Sequence, residues 1–474
     1  MKKKRIMMIP LAIIAIVWFA AAGAAAKVVM PAVLSSGMVL QQQSDVRLWG
    51  KADAGATVKV TTSWDGKKYQ TRAGDDGRFA LMVSTPPAGL TPYYISLHDG
   101  NGKSDADRTV IDNVLIGEVW LCSGQSNMNM RMDGSYGDPV IGALDAMSTS
   151  ANSAIRMFTV EPEMDNTPHD DCRGEWLEAS PATVQSFSAV AYFFARRINE
   201  VLGVPVGILH ASYGGSRVEA WMSNEAAAPY KPMAEVQNST ILYNGMMAPL
   251  VGYGLRGCLW YQGEANVDQP DLYTRLLPAM VSDWRGRWGV GDFPFLYAQI
   301  APFRYNKGEG KGKNSAYLRE AQVKCLRLID NSGMITLMDV GDARTIHPMD
   351  KQTVGLRFAY TAMERVYGFM DFPATPPLFS SMTVEGNKAT LTFTGADAGL
   401  TSYRRPLTDF EVAGADSVFH KAHASFGRGM KTVVVSAREV DRPVAVRYGF
   451  SDCPETCLFN IWGLPVSSFR TDEW

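Results

Sequence analysis

Val114-Leu115-Ile116-Gly117-Glu118-Val119-Trp120-Leu121 runs straight into Cys122-Ser123-Gly124-Gln125-Ser126-Asn127-Met128. The first eight residues are mostly apolar, as a strand buried on both faces of a parallel sheet has to be. A glycine and then a serine follow, at the point where such a strand ends. Ligands of open α/β sheets bind outside the carboxyl ends of the strands. A Ser on a tight strand-to-helix turn exposes its hydroxyl and aims its own backbone N–H into the same space. That suits a nucleophile whose amide helps to hold an oxyanion. A helix N-cap Ser sits on the same kind of turn, so position alone leaves both readings open.

The surrounding texture agrees with a strand-helix-strand layer. Ala189 to Leu202 has apolar residues at 190, 193, 194, 198 and 201, one face of a helix. Gly203 ends it, and Val204 to Leu209 starts a new strand. Gly257 to Trp260, Phe295 to Ile300 and Met334 to Met338 read as further strands. Residues 113–368 are therefore expected to form a three-layer α/β/α domain around a parallel sheet. Residues 27–112 read as an N-terminal β-sandwich-like module. Thr57 to Ser63 alternates, and Asp65-Gly66 and Asp76-Gly77 are two hairpin signals. Residues 369–474 return to short strands, such as Ala389 to Phe393, Thr432 to Ser436 and Val444 to Tyr448, in a second β module. Phe303 to Ser315, with Arg304, Lys307, Lys311, Lys313 and three Gly, is expected to be a mobile loop.

Residues 1–26 read as a secretory signal peptide. Lys2 to Arg5 are basic, Ile6 to Ala22 are apolar, and small-x-small patterns end at Ala24 and Ala26. An uncleaved anchor helix is the competing reading. The expected location is periplasmic or extracellular. An exported chain can oxidise its six cysteines, and Cys453 and Cys457 could be bridged or be two thiols. With 46% hydrophobic and 20% charged residues the chain is of globular composition. A net charge of −2 gives no general reason to bind nucleic acid. The six His are scattered, no metal-ligand set is visible, and no cofactor is expected.

Three more segments fall where strands of the central layer should end. Tyr213-Gly214-Gly215-Ser216 has a Gly pair that lets backbone approach a ligand and offer an amide, or makes a plain turn. Trp221 follows, as a packing residue or a pocket wall. Trp260-Tyr261-Gln262-Gly263-Glu264-Ala265-Asn266 places a side-chain amide where it could donate to an oxyanion, and Glu264 could bind a polar ligand or hold the loop. Asp342-Ala343-Arg344-Thr345-Ile346-His347-Pro348 supplies a His, the usual base for a Ser nucleophile, late in chain order.

Taken together these segments resemble the SGNH-type hydrolases, specifically the sialate O-acetylesterase family. The likeness spans nearly the whole mature chain. It includes Ser36-Gly37-Met38-Val39-Leu40, Glu219-Ala220-Trp221-Met222-Ser223, Lys351 and Gly355 after His347, and Val446-Arg447-Tyr448 with Asn460 and Gly463-Leu464-Pro465. The resemblance implies an SGNH-hydrolase-like fold and a serine esterase that removes O-acetyl groups from sialic acids. It implies Ser126 as nucleophile, His347 as base, and an oxyanion hole from the Ser126 amide, a Gly214 or Gly215 amide and the Gln262 side chain. Asn127, Trp221, Glu264 and Arg217 fall on the substrate side. The chain departs from the pattern before the His: Arg344 and Thr345 stand where an Asp is usual. Asp342 is then the available orienter, or the pair is a Ser-His dyad. If the pKa of His347 is near the reference ~6.5, activity should fall below about pH 6.

Two other readings use the same residues. An acetylesterase for xylan or pectin would need the same catalytic segments. A sialate enzyme should also offer a cation to the substrate carboxylate, for which Arg217 or Arg319 are candidates, unless they serve structural ion pairs. A non-catalytic carbohydrate-binding protein is the third reading, and the intact Ser, His and Gln set speaks against it.

Overall fold

A computed structural model describes residues 28–99, 108–305 and 314–474, apart from 136, 235, 237 and 370. The expected signal peptide and most of the Phe303 to Ser315 loop lie outside the described residues. The first module carries β1 (Val39–Gln41), β2 (Asp45–Lys51), β3 (Thr57–Thr62), β4 (Lys68–Arg72), β5 (Arg78–Ser84) and β6 (Gly89–Asp99). Asp65-Gly66 closes the β3–β4 hairpin, with Gly66 at φ 69°. Asp76-Gly77 departs from expectation. It leads from β4, paired with β3, into β5, paired with β2, so it crosses between ribbons. Turn residues reverse the chain but do not choose the partner of the next strand.

β7 (Thr109–Gly124) is one strand running across the junction expected at 112/113. Its first part pairs antiparallel with β6, and Leu115 to Gly117 pair with β1. From Glu118 onward it pairs in parallel with the strands of the central sheet. The two modules share a strand, with no linker between them.

The central part continues with α1 (Ser126–Asn129), α2 (Ala143–Ser148), β8 (Asn152–Thr159), β9 (Trp176–Ala179), α3 (Pro181–Val184), α4 (Ala189–Leu202) and β10 (Val206–Ser212). Then come α5 (Asn224–Ala227), β11 (Gly257–Tyr261), α6 (Pro270–Trp288), β12 (Phe295–Ala298), α7 (Ala316–Cys325), β13 (Ser332–Ile335) and α8 (Lys351–Arg365). The strand order is β13-β12-β11-β7-β10-β8-β9, parallel throughout except for the antiparallel edge strand β9. Side chains of a strand alternate between faces, and here each face meets its own helices. Cys258 and Trp260 of β11 join a core with Leu277 of α6 and Leu318 of α7. Leu259 and Tyr261 join a second core with Phe194 of α4 and Phe358 of α8. That is the three-layer α/β/α arrangement. α4 matches its sequence signals: Ser188 caps it by accepting from the Ala191 N–H, and Gly203 ends it at φ 67°.

The C-terminal part carries β14 (Leu378–Glu385), β15 (Lys388–Thr394), β16 (Leu400–Thr401), β17 (Phe410–Ala413), β18 (Phe419–Lys421), β19 (His423–Phe426), β20 (Thr432–Ser436), β21 (Ala445–Tyr448), β22 (Phe459–Asn460) and β23 (Phe469–Arg470). Two four-stranded sheets, β14-β15-β20-β19 and β18-β17-β21-β23, enclose one core with Leu391, Val433, Val412 and Val446. This module seats on β12 and β13. Gln299 Nε2 donates to Ser467 Oγ at 2.7 Å, and Thr336 Oγ1 to the Pro465 carbonyl at 2.9 Å. All six cysteines are free thiols, Cys453 and Cys457 included.

Candidate active site

The geometry starts from Gly124. Its φ of 137° belongs to the region that favours glycine. A Cβ there would lie 2.1 Å from the Tyr261 carbonyl oxygen, so β7 leaves the sheet only because this residue has no side chain. Gln125 then takes extended geometry as the N-cap of α1, and its own N–H donates to the Tyr261 carbonyl at 3.0 Å. Ser126 is therefore the first residue of α1 and not its cap. Ser126 is half-exposed between buried Gln125 and Asn127. Its N–H is one of the helix-start amides that have no carbonyl of their own turn to meet.

β10 runs beside β7 with Ser212 in register with Gly124. The Tyr213 N–H extends that pairing to the Gly124 carbonyl at 3.1 Å, and Gly214-Gly215 then turn away. Gly215 has φ 70°, and a Cβ on it would meet nothing within 4 Å. Gly215 therefore borders open space, just past the end of the strand next to the Ser126 turn. β11 flanks β7 on its other side, with Tyr261 opposite Gly124. The Gln125 side-chain oxygen accepts from the Gly263 and Ala265 N–H groups at 3.3 and 3.2 Å, locking the third segment to the first.

His347 reaches the same place through Asn127, whose Nδ2 donates to the Ile346 carbonyl at 3.0 Å. The carboxylate facing the imidazole is Asp138, which sequence reading missed. Its Oδ2 lies 3.9 Å from His347 Nδ1 and accepts from Thr345 Oγ1 at 2.6 Å. The His347 backbone N–H in turn donates to Thr345 Oγ1 at 3.1 Å. Asp138 thus braces the His loop and faces the ring together. Asp342, the expected orienter, does neither. Arg344 holds it through its backbone N–H, Nε and Nη2 at 2.8, 3.0 and 2.7 Å. That pairing pulls its pKa down to about 2. Burial pushes the His347 pKa below its ordinary value; the Lys351 charge adds to this, and the Asp138 charge opposes it.

Several expected site residues take other places. Gln262 is fully buried, and its Nε2 donates to the Ser216 carbonyl at 3.1 Å and to Asn266 Oδ1 at 2.7 Å. Asn266 Oδ1 also accepts from the Val218 N–H while its Nδ2 donates to Glu219, which fixes both amide orientations. Both Gln262 donors are engaged there, so in this arrangement it offers none to an oxyanion. Trp221 is core, not pocket wall: it packs edge-on against Trp260 and donates to Ser216 Oγ at 2.9 Å. Asn127 is fully buried, and Glu264 Oε1 accepts from Asn127 Nδ2 at 2.6 Å, so neither presents itself to substrate. Arg217 is partly exposed and paired with Asp268 at 3.2 Å. Arg319 is fully buried and donates to Ser468 Oγ and to the Gly449 and Ser451 carbonyls. Among the described residues no group of three or more His, Cys, Asp or Glu is arranged to hold a metal ion. A cavity of about 470 Å³ between α7 and β23, lined by Leu378, Phe379 and Phe469, shares no residue with this site.

The chain is similar over its length to a carbohydrate acetylesterase from Xanthomonas citri, with 33% identity and a TM-score of 0.85 over 94% of this chain and all of the other. It is a carbohydrate esterase, and so a carboxylic ester hydrolase. A family model described as carbohydrate esterase, sialic acid-specific acetylesterase matches residues 116–363, more than half of the chain, and the chain belongs to this family. Proteins called sialate O-acetylesterase from Homo sapiens and Mus musculus are 28% and 27% identical over 402 and 413 residues. Those alignments cover 76% and 72% of this chain and 75% and 74% of theirs. The reading as a non-catalytic carbohydrate-binding protein is thereby set aside.

Proposed function

We propose that this chain removes O-acetyl groups from sialic acids, with Ser126 as nucleophile, His347 as general base and Asp138 as the acid that orients the base. The observation that carries the site assignment is the Asn127 bridge to the Ile346 carbonyl, which brings the His loop to the half-exposed Ser126 turn. His347 accepts the Ser126 proton as the hydroxyl attacks the acetyl carbonyl. Asp138 then faces the imidazolium that forms. The Ser126 amide and the Gly214 or Gly215 amide receive the oxyanion. The sugar leaves with the proton from His347, and water, activated by the same ring, releases acetate. The substrate class rests on the family model and on the names of the mammalian relatives.

One observation favours a second reading, deacetylation of other carbohydrates such as xylan or pectin. Arg217 is paired with Asp268, and Arg319 is buried, so neither offers a free cation to a sialate carboxylate. Acetate release from O-acetylated sialosides and from acetylated xylan, measured side by side, tests the assignment. Turnover of xylan without turnover of sialosides would replace the first reading with the second. We further propose export, from the basic and apolar start of the sequence. N-terminal sequencing of the secreted protein should find it beginning near Ala24 or Ala26, and an intact Met1 would refute cleavage.

A further inference from the structure

Behind the Ser126 turn lie three buried polar residues that the chemistry above does not use: Asn127, Glu264 and Lys351. Lys351 is the most costly of them. It opens α8, where the helix dipole is positive, and it is fully buried, where an ammonium needs compensation. Its Nζ donates to Asn127 Oδ1 at 2.6 Å and lies 5.6 Å from the centre of the Tyr261 ring. Asn127 spends its amide protons on Glu264 Oε1 at 2.6 Å and on the Ile346 carbonyl at 3.0 Å. Asn127 follows Ser126, and Ile346 precedes His347. One side-chain amide therefore joins the nucleophile segment to the base segment.

The cation decides which way that amide faces. Burial lowers the Lys351 pKa to about 7 against the opposing Glu264 and Asp138 charges, so in the acid range where the base titrates Nζ is an ammonium. It then has only donors, takes the Asn127 oxygen and turns the NH₂ group toward Ile346 and Glu264. Lys351 also balances the buried Glu264 carboxylate, so its removal should cost stability as well, and the test has to separate that cost from a loss of positioning.

We propose that Lys351 is a positioning residue of the esterase: by fixing the orientation of the Asn127 amide it clamps the Ile346 carbonyl, and with it His347, against the Ser126 turn. The inference rests on the reading of Ser126 and His347 as nucleophile and base. The charged groups acting on His347 are Lys351 on α8 and Asp138 on the loop after α1, while Glu264, after β11, faces Lys351 through Asn127.

Two variants test it, with p-nitrophenyl acetate as substrate. Lys351→Met keeps the volume and frees the amide to flip. Asn127→Asp keeps an acceptor for Lys351 and removes both donors. Each should lower kcat by on the order of 10–10²-fold, the scale of a misplaced reacting group, with KM within about twofold because substrate contacts are untouched. In Lys351→Met the acid limb of kcat/KM should also move to higher pH, since a cation opposing imidazole protonation is gone. A merely structural Lys would leave that limb in place. Wild-type kcat with an unmoved acid limb in folded Lys351→Met, or wild-type kcat in folded Asn127→Asp, overturns the proposal. If the Met variant does not fold by far-UV circular dichroism, the Asp variant carries the test alone. Ser126→Ala run in parallel separates the two ideas: full activity there overturns the esterase reading itself.

Discussion

Individual side chains divide here into those that face the substrate space and those that hold them there. Ser126→Ala removes a half-exposed hydroxyl and no core volume, so turnover should vanish while the melting temperature stays put. A folded variant keeping more than a few per cent of activity would be incompatible with the assignment. Asp138→Asn should cost on the order of 10²–10⁴ in kcat, the range of a group needed for proton transfer by the base. Asp342→Asn should leave kcat near wild type, because Arg344 and not His347 is its partner. Equal losses in the two would return Asp342 to the site. Gln262→Ala should act on stability first. It strips donors from the Ser216 carbonyl and Asn266 Oδ1 inside the protein, at about 1–3 kcal/mol for buried groups left unmatched. Thermal melts alongside kcat would show it. The sign of the pH effect follows from His347. Its pKa is lowered, so the ring remains a neutral base to more acid pH than free imidazole. The acid limb of kcat/KM should have its midpoint below ~6.5, and a midpoint above that value would contradict the burial argument.

The turns between strand and helix set these side chains in place. Gly124 and Gly215 both have positive φ, yet they should answer differently to a methyl group. Gly124→Ala drives a Cβ to 2.1 Å from the Tyr261 carbonyl, so β7 and β11 must separate. Loss of soluble protein or a large drop in melting temperature is expected. Gly215→Ala meets open space and carries only the left-handed cost, roughly 1–2 kcal/mol. It should fold, and any loss of activity beyond its stability loss would report on the backbone amides of that turn. Chromatographic yield and thermal melts of the pair decide the matter. These turns were legible in advance, since an apolar run ending in Gly-Gln-Ser and a strand ending in Gly-Gly are local patterns. Asp138 was not. It sits in a loop between Gly137 and Pro139 with no periodic signal, 209 residues before His347, and only folding brings the two together.

Across the chain, the flanking β modules belong to the same structural unit as the central sheet. β7 is shared between the first module and the central sheet. Arg319 is buried with its Nε and Nη2 donors spent on residues of the C-terminal module. Ending the chain at 368 would strand that guanidinium and uncover Gln299 and Thr336. The shortened protein should be insoluble or lack a cooperative melt, whereas independent folding would show that the interface is dispensable.

The sequence by itself determined the layer type, because apolar runs of strand length alternate with helical periodicity. It also determined which short segments sit at strand ends, because glycine is required wherever backbone must turn that tightly. The tertiary structure alone decided which carboxylate meets His347 and which amides are free. Asp342 is nearer in sequence, but Arg344 binds it first. Gln262 stands at a strand end, but Asn266 and Ser216 absorb its protons. Hydrogen-bonding capacity is finite, and where it is spent depends on which partners the fold brings within reach.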